Sequence, residues 1–471
     1  METQSLRFKQ NSVRALHDQT LQSALEKAQE GSVGRRANVV SQISEFEQIR
    51  LEGEAIKNHT LSHLDYYLEQ YEQTVIKQGG KVHWAESAED AQRIVLQICK
   101  DRDARSVIKG KSMVSEEVGI NGALEAADIE VVETDLGEYV LQLADQPPSH
   151  IITPAIHMTR DQVSDLFHEN HASLGFEKRQ TEVAELVNEA RQVLRRNFLN
   201  ADVGITGANF LVAETGANVI VTNEGNGDLS CTLPDVHIVT AGIEKVVPTL
   251  DDVGVLLRLL ARSATGQDFT SYTTFSAGPK REGDMDGPEE YHVVLIDNGR
   301  SEMLNSEYKE MLRCIRCGAC MNHCPVYGAV GGHAYGWVYP GPMGSVLTPI
   351  FTGLDNAYDL PNACTLNGRC QSVCPVRIPL TDLLRQHRIK QFEQGLVPGP
   401  QKMALRIWSY FAGKPRIYQA FSGIAAWILK NISGRSGSLS KFPFVGGWTN
   451  SRDLPAPDGK TFQQLWKKHK Q

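Results

Sequence analysis

The spacing of apolar and polar residues divides the chain into four regions. Residues 1–80 are rich in Glu, Gln, Lys and Leu and contain no proline, which predicts a helical segment. Residues 81–300 alternate short apolar runs with helical periodicity, and this predicts an α/β domain with a largely parallel sheet. Residues 301–394 predict a mostly helical domain, and residues 395–471 predict a helical C-terminal extension.

The same periodicity predicts the individual elements of the α/β domain. Its predicted strands are Ser106–Ile108, Ile129–Glu133, Tyr139–Leu143, Ile151–Thr153, Phe210–Ala213, Val219–Thr222, His237–Thr240 and His292–Ile296. Its predicted helices are Ala88–Cys99 (with Ser87 as N-cap), Arg160–Phe167, Thr181–Phe198 and Thr249–Arg262. Helices are also predicted at 301–313 and 375–394, on either side of the cysteine-rich region.

Seven of the nine cysteines fall in two short runs. The first run has the pattern C-x2-C-x2-C-x3-C-P, and it contains Cys314, Cys317, Cys320 and Cys324. The second run contains Cys364, Cys370 and Cys374, followed by proline. The first pattern is that of ferredoxins, in which the fourth cysteine ligates the neighbouring iron–sulfur cluster. The sequence therefore predicts a two-cluster, ferredoxin-type domain at 301–394.

Exchange of the last cysteine between the runs predicts which thiolates share a cluster. The first cluster is expected to be 4Fe-4S, held by Cys314, Cys317, Cys320 and Cys374. The second cluster is expected to be held by Cys324, Cys364 and Cys370.

The second cluster is one thiolate short, because the chain has Asn367 where the ferredoxin pattern has a cysteine. Two interpretations stay open: a 3Fe-4S cluster, or a 4Fe-4S cluster in which one iron takes a non-cysteine ligand, namely Asn367, water, a substrate or a partner. Zinc is the alternative metal, but it prefers paired C-x2-4-C knuckles. The two other cysteines, Cys99 and Cys231, are predicted core residues.

Charge is distributed unevenly along the chain, whose formal net charge is −8. The segment from Val376 to Gln471 has 16 basic and 4 acidic residues. It also contains four of the six tryptophans and an amphipathic pattern at Ile417, Ala420, Phe421, Ile424 and Ile428. This pattern predicts a helix that packs on the protein's own surface or contacts a partner or, peripherally, a membrane.

The chain shows no apolar signal segment and no run of eighteen apolar residues, so we expect a cytoplasmic protein without a membrane span.

The α/β domain contains two weak indications of an anion-binding site. Lys109 and Lys111 flank a glycine after a predicted strand, where they form either a carboxylate or phosphate site or a surface turn. The stretch with Gly204, Thr206 and Gly207 predicts a tight turn or a backbone anion site.

Three acidic residues lie near predicted strand ends, where ligands of α/β sheets bind. Each of Glu214, Glu224 and Glu244 is expected to be a solvated surface charge unless it has a catalytic role. Glu214 and Glu224 are the candidate nucleophilic carboxylates.

Six stretches of the chain resemble the lactate utilization protein B family. They are KGKSMVSEEVGIN, DLGEYVLQLADQPPSHIITPAIH, GITGANFLVAETGANVIVTNEGN, CIRCGACMNHCPVYG, GHAYGWVYPGPMGSVLTP and CQSVCPV. The resemblance implies a fold like that of the sugar-isomerase and CoA-transferase-like superfamily at 81–300. It also implies a cytoplasmic complex that oxidises L-lactate to pyruvate. In that complex this chain would carry electrons beside a cysteine-rich, heterodisulfide-reductase-like subunit and a second α/β-domain protein.

Two other functions are compatible with the same residues. One is a CoA-transferase- or ligase-like enzyme in which the clusters act as a redox gate, with Glu214 or Glu224 as nucleophile. The other is an iron–sulfur redox sensor whose basic tail binds nucleic acid. No helix–turn–helix pattern supports that second function, so nucleic acid is not an expected partner.

Overall fold

The computed structural model describes residues 3–434, 436–440 and 453–470. The chain folds into two compact units, Met1–Lys390 and Gln391–Gln471. The helices of the first unit, the last of which continues into the second, are α1 (Phe8–His17), α2 (Gln19–Ser41), α3 (Phe46–Ser62), α4 (Leu64–Lys77), α5 (Ala88–Asp101), α6 (Met113–Val118), α7 (Ile120–Glu125), α8 (Leu136–Leu143), α9 (Arg160–His171), α10 (Val183–Asn200), α11 (Asn226–Thr232), α12 (Leu250–Ala264), α13 (Arg300–Leu304), α14 (Ala319–Asn322), α15 (Pro325–Val330), α16 (Gly341–Thr352), α17 (Arg369–Val373) and α18 (Leu380–Glu393).

The strands between residues 81 and 296 form two sheets. They are β1 (Lys81–Ala85), β2 (Ser106–Lys109), β3 (Glu130–Glu133), β4 (Val203–Gly207), β5 (Phe210–Val212), β6 (Ala217–Thr222), β7 (Val236–Gly242), β8 (Val246–Val247), β9 (Tyr272–Ser276) and β10 (Glu290–Ile296). The larger sheet is entirely parallel, in the order β1-β10-β7-β4-β2-β3. The smaller sheet has the order β8-β5-β6-β9. The prediction of an α/β domain with a largely parallel sheet is confirmed.

The parallel sheet reverses its winding direction between the neighbouring strands β2 and β4. From β2 the chain moves outward to β3, whereas from β4 it moves in the opposite direction to β7. Such a point is where ligands of open α/β sheets bind, outside the carboxyl ends of the strands. The segments that leave β2 and β4 therefore border the part of this domain best placed for a ligand.

Two predicted strands are wrong, and each has a local physical reason. Residues 139–143 lie in α8, because Asp135 accepts the backbone N–H groups of Gly137 and Glu138 and so caps a helix start. Residues 151–153 are irregular, because Nδ1 of His150 accepts the N–H groups of Ile152 and Thr153 (3.0 and 3.2 Å) that a strand ladder would need.

The predicted turn at 204–209 is also wrong over most of its length, because Gly204 and Gly207 lie in β4. A side chain at Gly204 would collide with the carbonyl oxygen of Ser230 in α11. Glycine is required there because helix and strand pack closely, and not because the chain turns.

The largest hydrophobic core joins segments that are distant in sequence. It combines Phe46 and Ile49 of α3 and Leu256 of α12 with the cysteine-rich segment and its flanking residues, such as Met311 and Leu384. Helices α1 and α3 thus share a core with the cysteine-rich segment, whereas α4 packs with strands of the α/β domain. The segment between the two cysteine runs is buried as well, including most of α16.

The second unit consists of helices and one short strand pair. They are α19 (Gly399–Ala412), α20 (Pro415–Ser433), β11 (Ser438–Leu439), β12 (Leu454–Pro455) and α21 (Phe462–His469). The apolar positions of α20 are exposed, with Phe421 59 % and Ile424 57 % accessible. Trp448 lies outside the described residues. None of the helices described is long and apolar enough to cross a bilayer.

Candidate metal centres

The four thiols assigned to the first cluster line one cavity. Cys314, Cys317 and Cys320 reach it from the first run, and Cys374 reaches it from the second. The rest of the wall is mostly apolar and includes Met311, Ile315, Met343, Val376, Ile378 and Leu380. The structure therefore brings together the four side chains that the cysteine pattern predicts for one cluster.

The remaining three thiols form a second group. Burial raises the pKa of Cys370 to about 12, with a further contribution from Cys364 and Cys324 nearby. Cys320 adjoins both groups, because burial and then Cys314, Cys317 and Cys370 hold its pKa well above the ordinary range. The thiols thus lie in groups of four and three, and the assignment of each group to one cluster stays a prediction.

The donor set fits iron–sulfur clusters better than single metal ions. Among the residues that the structure describes, no three His, Cys, Asp or Glu side chains are close enough to hold one metal ion. A zinc site would need four ligands at about 2.0–2.3 Å from one centre. Burial raises the pKa of Cys317 to about 12 and that of Cys374 to about 11, so metal binding has to displace their protons.

Backbone N–H groups already point at three of the sulfur atoms. Tyr327 donates to Cys324 (3.5 Å), Leu366 to Cys364 (3.3 Å) and Ile378 to Cys374 (3.4 Å). The first of these bonds places Cys324 as the N-cap of α15. Such bonds stabilise negative charge on a ligating sulfur and influence the cluster's reduction potential.

Two buried arginines of the N-terminal helices hold the second cysteine run in place. Arg36 donates to the carbonyl of Val373 (3.0 Å). Arg50 donates from Nε and Nη2 to the carbonyl of Cys374 (3.0 and 2.7 Å). The position of Cys374, which completes the first thiol group, therefore depends on helices that are more than 300 residues earlier in the chain.

A buried ionic network lies beside the first thiol group. Arg300, only 1 % exposed, donates to Glu117 (2.9 and 2.8 Å) and from Nε to Glu244 (2.7 Å). Burial alone would raise the pKa of Glu244, but Arg300 and Arg316 lower it to about 2. The expectation that Glu244 is a solvated surface charge is wrong, because its partners come from segments that the sequence does not show to be neighbours.

This network brings positive charge close to Cys314. The Sδ atom of Met343 lies 3.6 Å from Cys314 Sγ and 3.2 Å from Nη1 of Arg316. The buried Lys57 donates to the carbonyl oxygen of Glu244 (2.5 Å), and Lys245 is a further cation of the same group. Four cations therefore face two carboxylates: Lys57, Lys245, Arg300 and Arg316 against Glu117 and Glu244.

The α/β domain also contacts the loop of the first run through a histidine. The Nε2 atom of His150 lies 3.1 Å from the amide oxygen of Asn322 in α14. Because Nδ1 accepts two backbone N–H groups, Nε2 carries the proton. Burial, followed by the nearby Lys111, lowers the pKa of His150 to about 3, so this contact is between neutral groups.

The residues of the predicted anion site are not assembled into one site. Lys109 is fully buried and pairs with Glu116 and with Glu133 (2.8 Å). Thr206 is buried, with its hydroxyl 2.8 Å from Nε2 of His237. Gly204 contacts α11. Lys111 and Gly207 do lie at the carboxyl ends of β2 and β4, but Lys111 Nζ already donates to the carbonyl oxygen of Ile152 (2.6 Å).

The two candidate nucleophiles are both exposed. Glu214 accepts the backbone N–H of Leu250 (3.1 Å) at the start of α12, which is a capping role. Glu224 lies just before α11. A catalytic role for either residue stays a prediction.

The geometry agrees with what known protein families show. Residues 68–296 match the LUD domain, residues 310–378 match a 4Fe-4S dicluster domain, and residues 386–471 match the C-terminal region of lactate utilisation protein B. The dicluster match covers all seven clustered cysteines. This supports iron–sulfur clusters at the two thiol groups.

Similar proteins align over nearly the whole chain. "Uncharacterized electron transport protein YkgF" of Escherichia coli (strain K12) is 44% identical over 473 residues, covering 100% of this chain and 98% of its own. "Lactate utilization protein B" of Bacillus pumilus (strain SAFR-032) is 44% identical over 464 residues, covering 98% and 97%. The protein of that name from Lysinibacillus sphaericus (strain C3-41) is 43% identical over 473 residues, covering 100% and 98%.

Proposed function

Because this chain belongs to the lactate utilization protein B family, we propose that it is the electron-transfer subunit of a complex that oxidises L-lactate to pyruvate. The family relationship supports an iron–sulfur role in lactate utilization. The complex, the direction of electron flow and the assignment of two clusters are our proposal. The observation that supports it best is the division of seven thiols into adjoining groups of four and three.

In this proposal Cys314, Cys317, Cys320 and Cys374 hold a 4Fe-4S cluster. Cys324, Cys364 and Cys370 hold the second cluster. Iron–sulfur clusters supply one-electron transfer. Lactate oxidation releases two electrons, so two adjoining centres, or one centre next to a two-electron cofactor, are needed to receive them.

The chain's own residues provide the surroundings that this role needs. Mostly apolar side chains line the first thiol group, and backbone N–H groups stabilise charge on the sulfurs. The buried cations beside Cys314 favour the more negative, reduced state of that centre. These features favour electron transfer over a purely structural metal site.

We further propose that lactate oxidation needs companion subunits in the cytoplasm, namely a cysteine-rich, heterodisulfide-reductase-like protein and a second α/β-domain protein. Relatives of this chain are named for lactate utilization and for electron transport, and these names support a role in which other proteins take part. The exposed apolar side chains of α19 and α20, such as Trp408 and Trp427, are candidates for the contact with such a partner or with a membrane surface.

The test is an anaerobic purification followed by reduction with lactate. Iron and sulfide are measured per chain, and cluster absorbance is followed after L-lactate is added with and without the co-purifying proteins. We expect both clusters to be present and to be reduced by L-lactate only when the companions are present. Turnover of lactate by this chain alone with an artificial acceptor would show that it is more than an electron carrier. A chain without iron after proper assembly would refute the proposal.

A further inference from the structure

The two cysteine runs have the same backbone conformation, with equivalent residues 50 positions apart. Arg316 and Leu366 both have positive φ angles (59° and 55°) although neither is glycine. Gly318 and Gly368 follow with φ angles of 73° and 77°, and each is the N-cap of a short helix, α14 or α17. A non-glycine residue in this left-handed conformation is uncommon. Two such residues at equivalent positions identify a structural repeat.

The repeat makes Asn367 the equivalent of Cys317. Cys317 is only 8 % exposed and lines the cavity of the first thiol group. Asn367 is exposed, and its Oδ1 atom accepts the backbone N–H of Arg369 (3.0 Å). Its side-chain oxygen is therefore already used at the start of α17.

We propose that the second cluster has an open coordination position at its Asn367 corner, which takes an anionic donor from outside this chain. The inference rests on the proposed two-cluster function. Of the alternatives for the missing fourth ligand, this inference excludes Asn367 and favours a group from outside this chain. Three thiolates of this chain hold the cluster. The iron at the fourth corner has no ligand from this chain, so it is lost on oxidation unless an external thiolate or carboxylate binds it.

The surroundings of this corner favour access from solvent. Thr365, Leu366, Asn367 and Arg369 are exposed, and Leu366 has 40 % of its surface accessible. The equivalent segment of the first run is covered, with Ile315 only 2 % and Cys317 8 % exposed. The exposed guanidinium of Arg369 adds a positive charge that favours an anion. The second cluster is thus the one that an external ligand can reach.

The experiment compares the wild-type chain with Asn367→Cys and Asn367→Ala, each purified anaerobically as the full chain. Because the residues on both sides of position 367 have the same left-handed conformations as those on both sides of Cys317, a cysteine at 367 is expected to supply a fourth thiolate. Iron and sulfide per chain and low-temperature EPR of the oxidised protein are measured. The signal of the first cluster serves as an internal measure of folding and loading. 2-Mercaptoethanol and L-lactate are then added to each iron-loaded protein as a thiolate and a carboxylate probe.

We expect oxidised wild type and Asn367→Ala to share a three-iron signal, which Asn367→Cys abolishes while retaining one more iron per chain. After reloading with ferrous iron, one probe or both should alter the wild-type spectrum and leave that of Asn367→Cys unchanged. Loss of the second cluster in Asn367→Ala alone would identify Asn367 as a ligand and overturn the inference. The inference is equally wrong if wild type and Asn367→Cys have the same iron content, signal and probe response. Failure of the proposed function would differ from both, because no chain would then contain clusters.

Discussion

The cations beside Cys314 should set the reduction potential of the first cluster, and Arg316 is the residue with which to test this. Its Nη1 atom lies 3.2 Å from Met343 Sδ, which lies 3.6 Å from Cys314 Sγ. The guanidinium and the ligating sulfur are therefore no more than about 7 Å apart. Reduction adds negative charge to the cluster, so replacing Arg316 by Met should make reduction less favourable and lower the midpoint potential.

Coulomb's law gives the size of the effect. One unit charge at about 7 Å, with an effective dielectric constant of about 20, contributes about 2.4 kcal/mol. For a one-electron couple this corresponds to a potential about 100 mV lower in Arg316→Met. Lys57→Met should shift the potential in the same direction, because Lys57 belongs to the same buried group.

The assay is a redox titration of the anaerobic protein, followed by EPR of the reduced first cluster. Arg93→Gln is the matched control, since Arg93 is 70% exposed and forms an ion pair with Asp90 on α5. Its potential should equal that of the wild type. A fully loaded Arg316→Met protein with an unchanged potential would refute the argument that buried charge acts on this centre.

Three further predictions follow from the thiol groups and from buried polar residues. Cys374→Ser should remove the first cluster and spare the second, although Cys374 belongs to the second run. The EPR signals of the two clusters check this, and loss of the second cluster alone would contradict the exchange of ligands between the runs. Lys109→Met should lower the free energy of unfolding by about 3–5 kcal/mol, because it leaves buried carboxylates unpaired, and adding Glu133→Gln should restore part of the loss in urea titrations. Burial lowers the pKa of His237 to about 3, below its unfolded value, so its contribution to stability is present above about pH 6.5 and is lost as the pH falls. His237→Gln should therefore reduce the stability lost between pH 6.5 and 5 by up to about 2 kcal/mol in the same titrations. An unchanged pH dependence of stability would contradict this.

Features that depend on local spacing could be predicted from the sequence. The α/β class and most of the helices follow from periodicity, and the ferredoxin spacing of the cysteines indicates which thiols come together. The short apolar run at 139–143 fits the period of a helix as well as that of a strand, so its hydrophobicity alone predicts a strand wrongly. The cap by Asp135 favours the helix that is observed, α8. For short apolar runs, capping residues are therefore a better guide than hydrophobicity.

Features that depend on partners distant in sequence could not be predicted. The burial of Glu244 requires Arg300, and the pairing of Lys109 requires Glu133; both pairs form only when the sheet brings strand ends together. The hydrogen bond from the backbone N–H of Arg369 to Asn367 also depends on the backbone geometry and is not visible in the cysteine pattern. The sequence does contain one signal for Asn367: equivalent positions of the two cysteine runs are 50 residues apart, and this spacing aligns Asn367 with Cys317.

Arg36 and Arg50 donate hydrogen bonds to the carbonyls of Val373 and Cys374, and these bonds have a consequence for biosynthesis. The helices that carry these arginines leave the ribosome first, yet their hydrogen-bond acceptors are synthesised only after the whole α/β domain. Metal insertion at the first site is thus a late step, and a nascent chain released before residue 374 would lack both the fourth thiol and the backbone that anchors the amino-terminal helices.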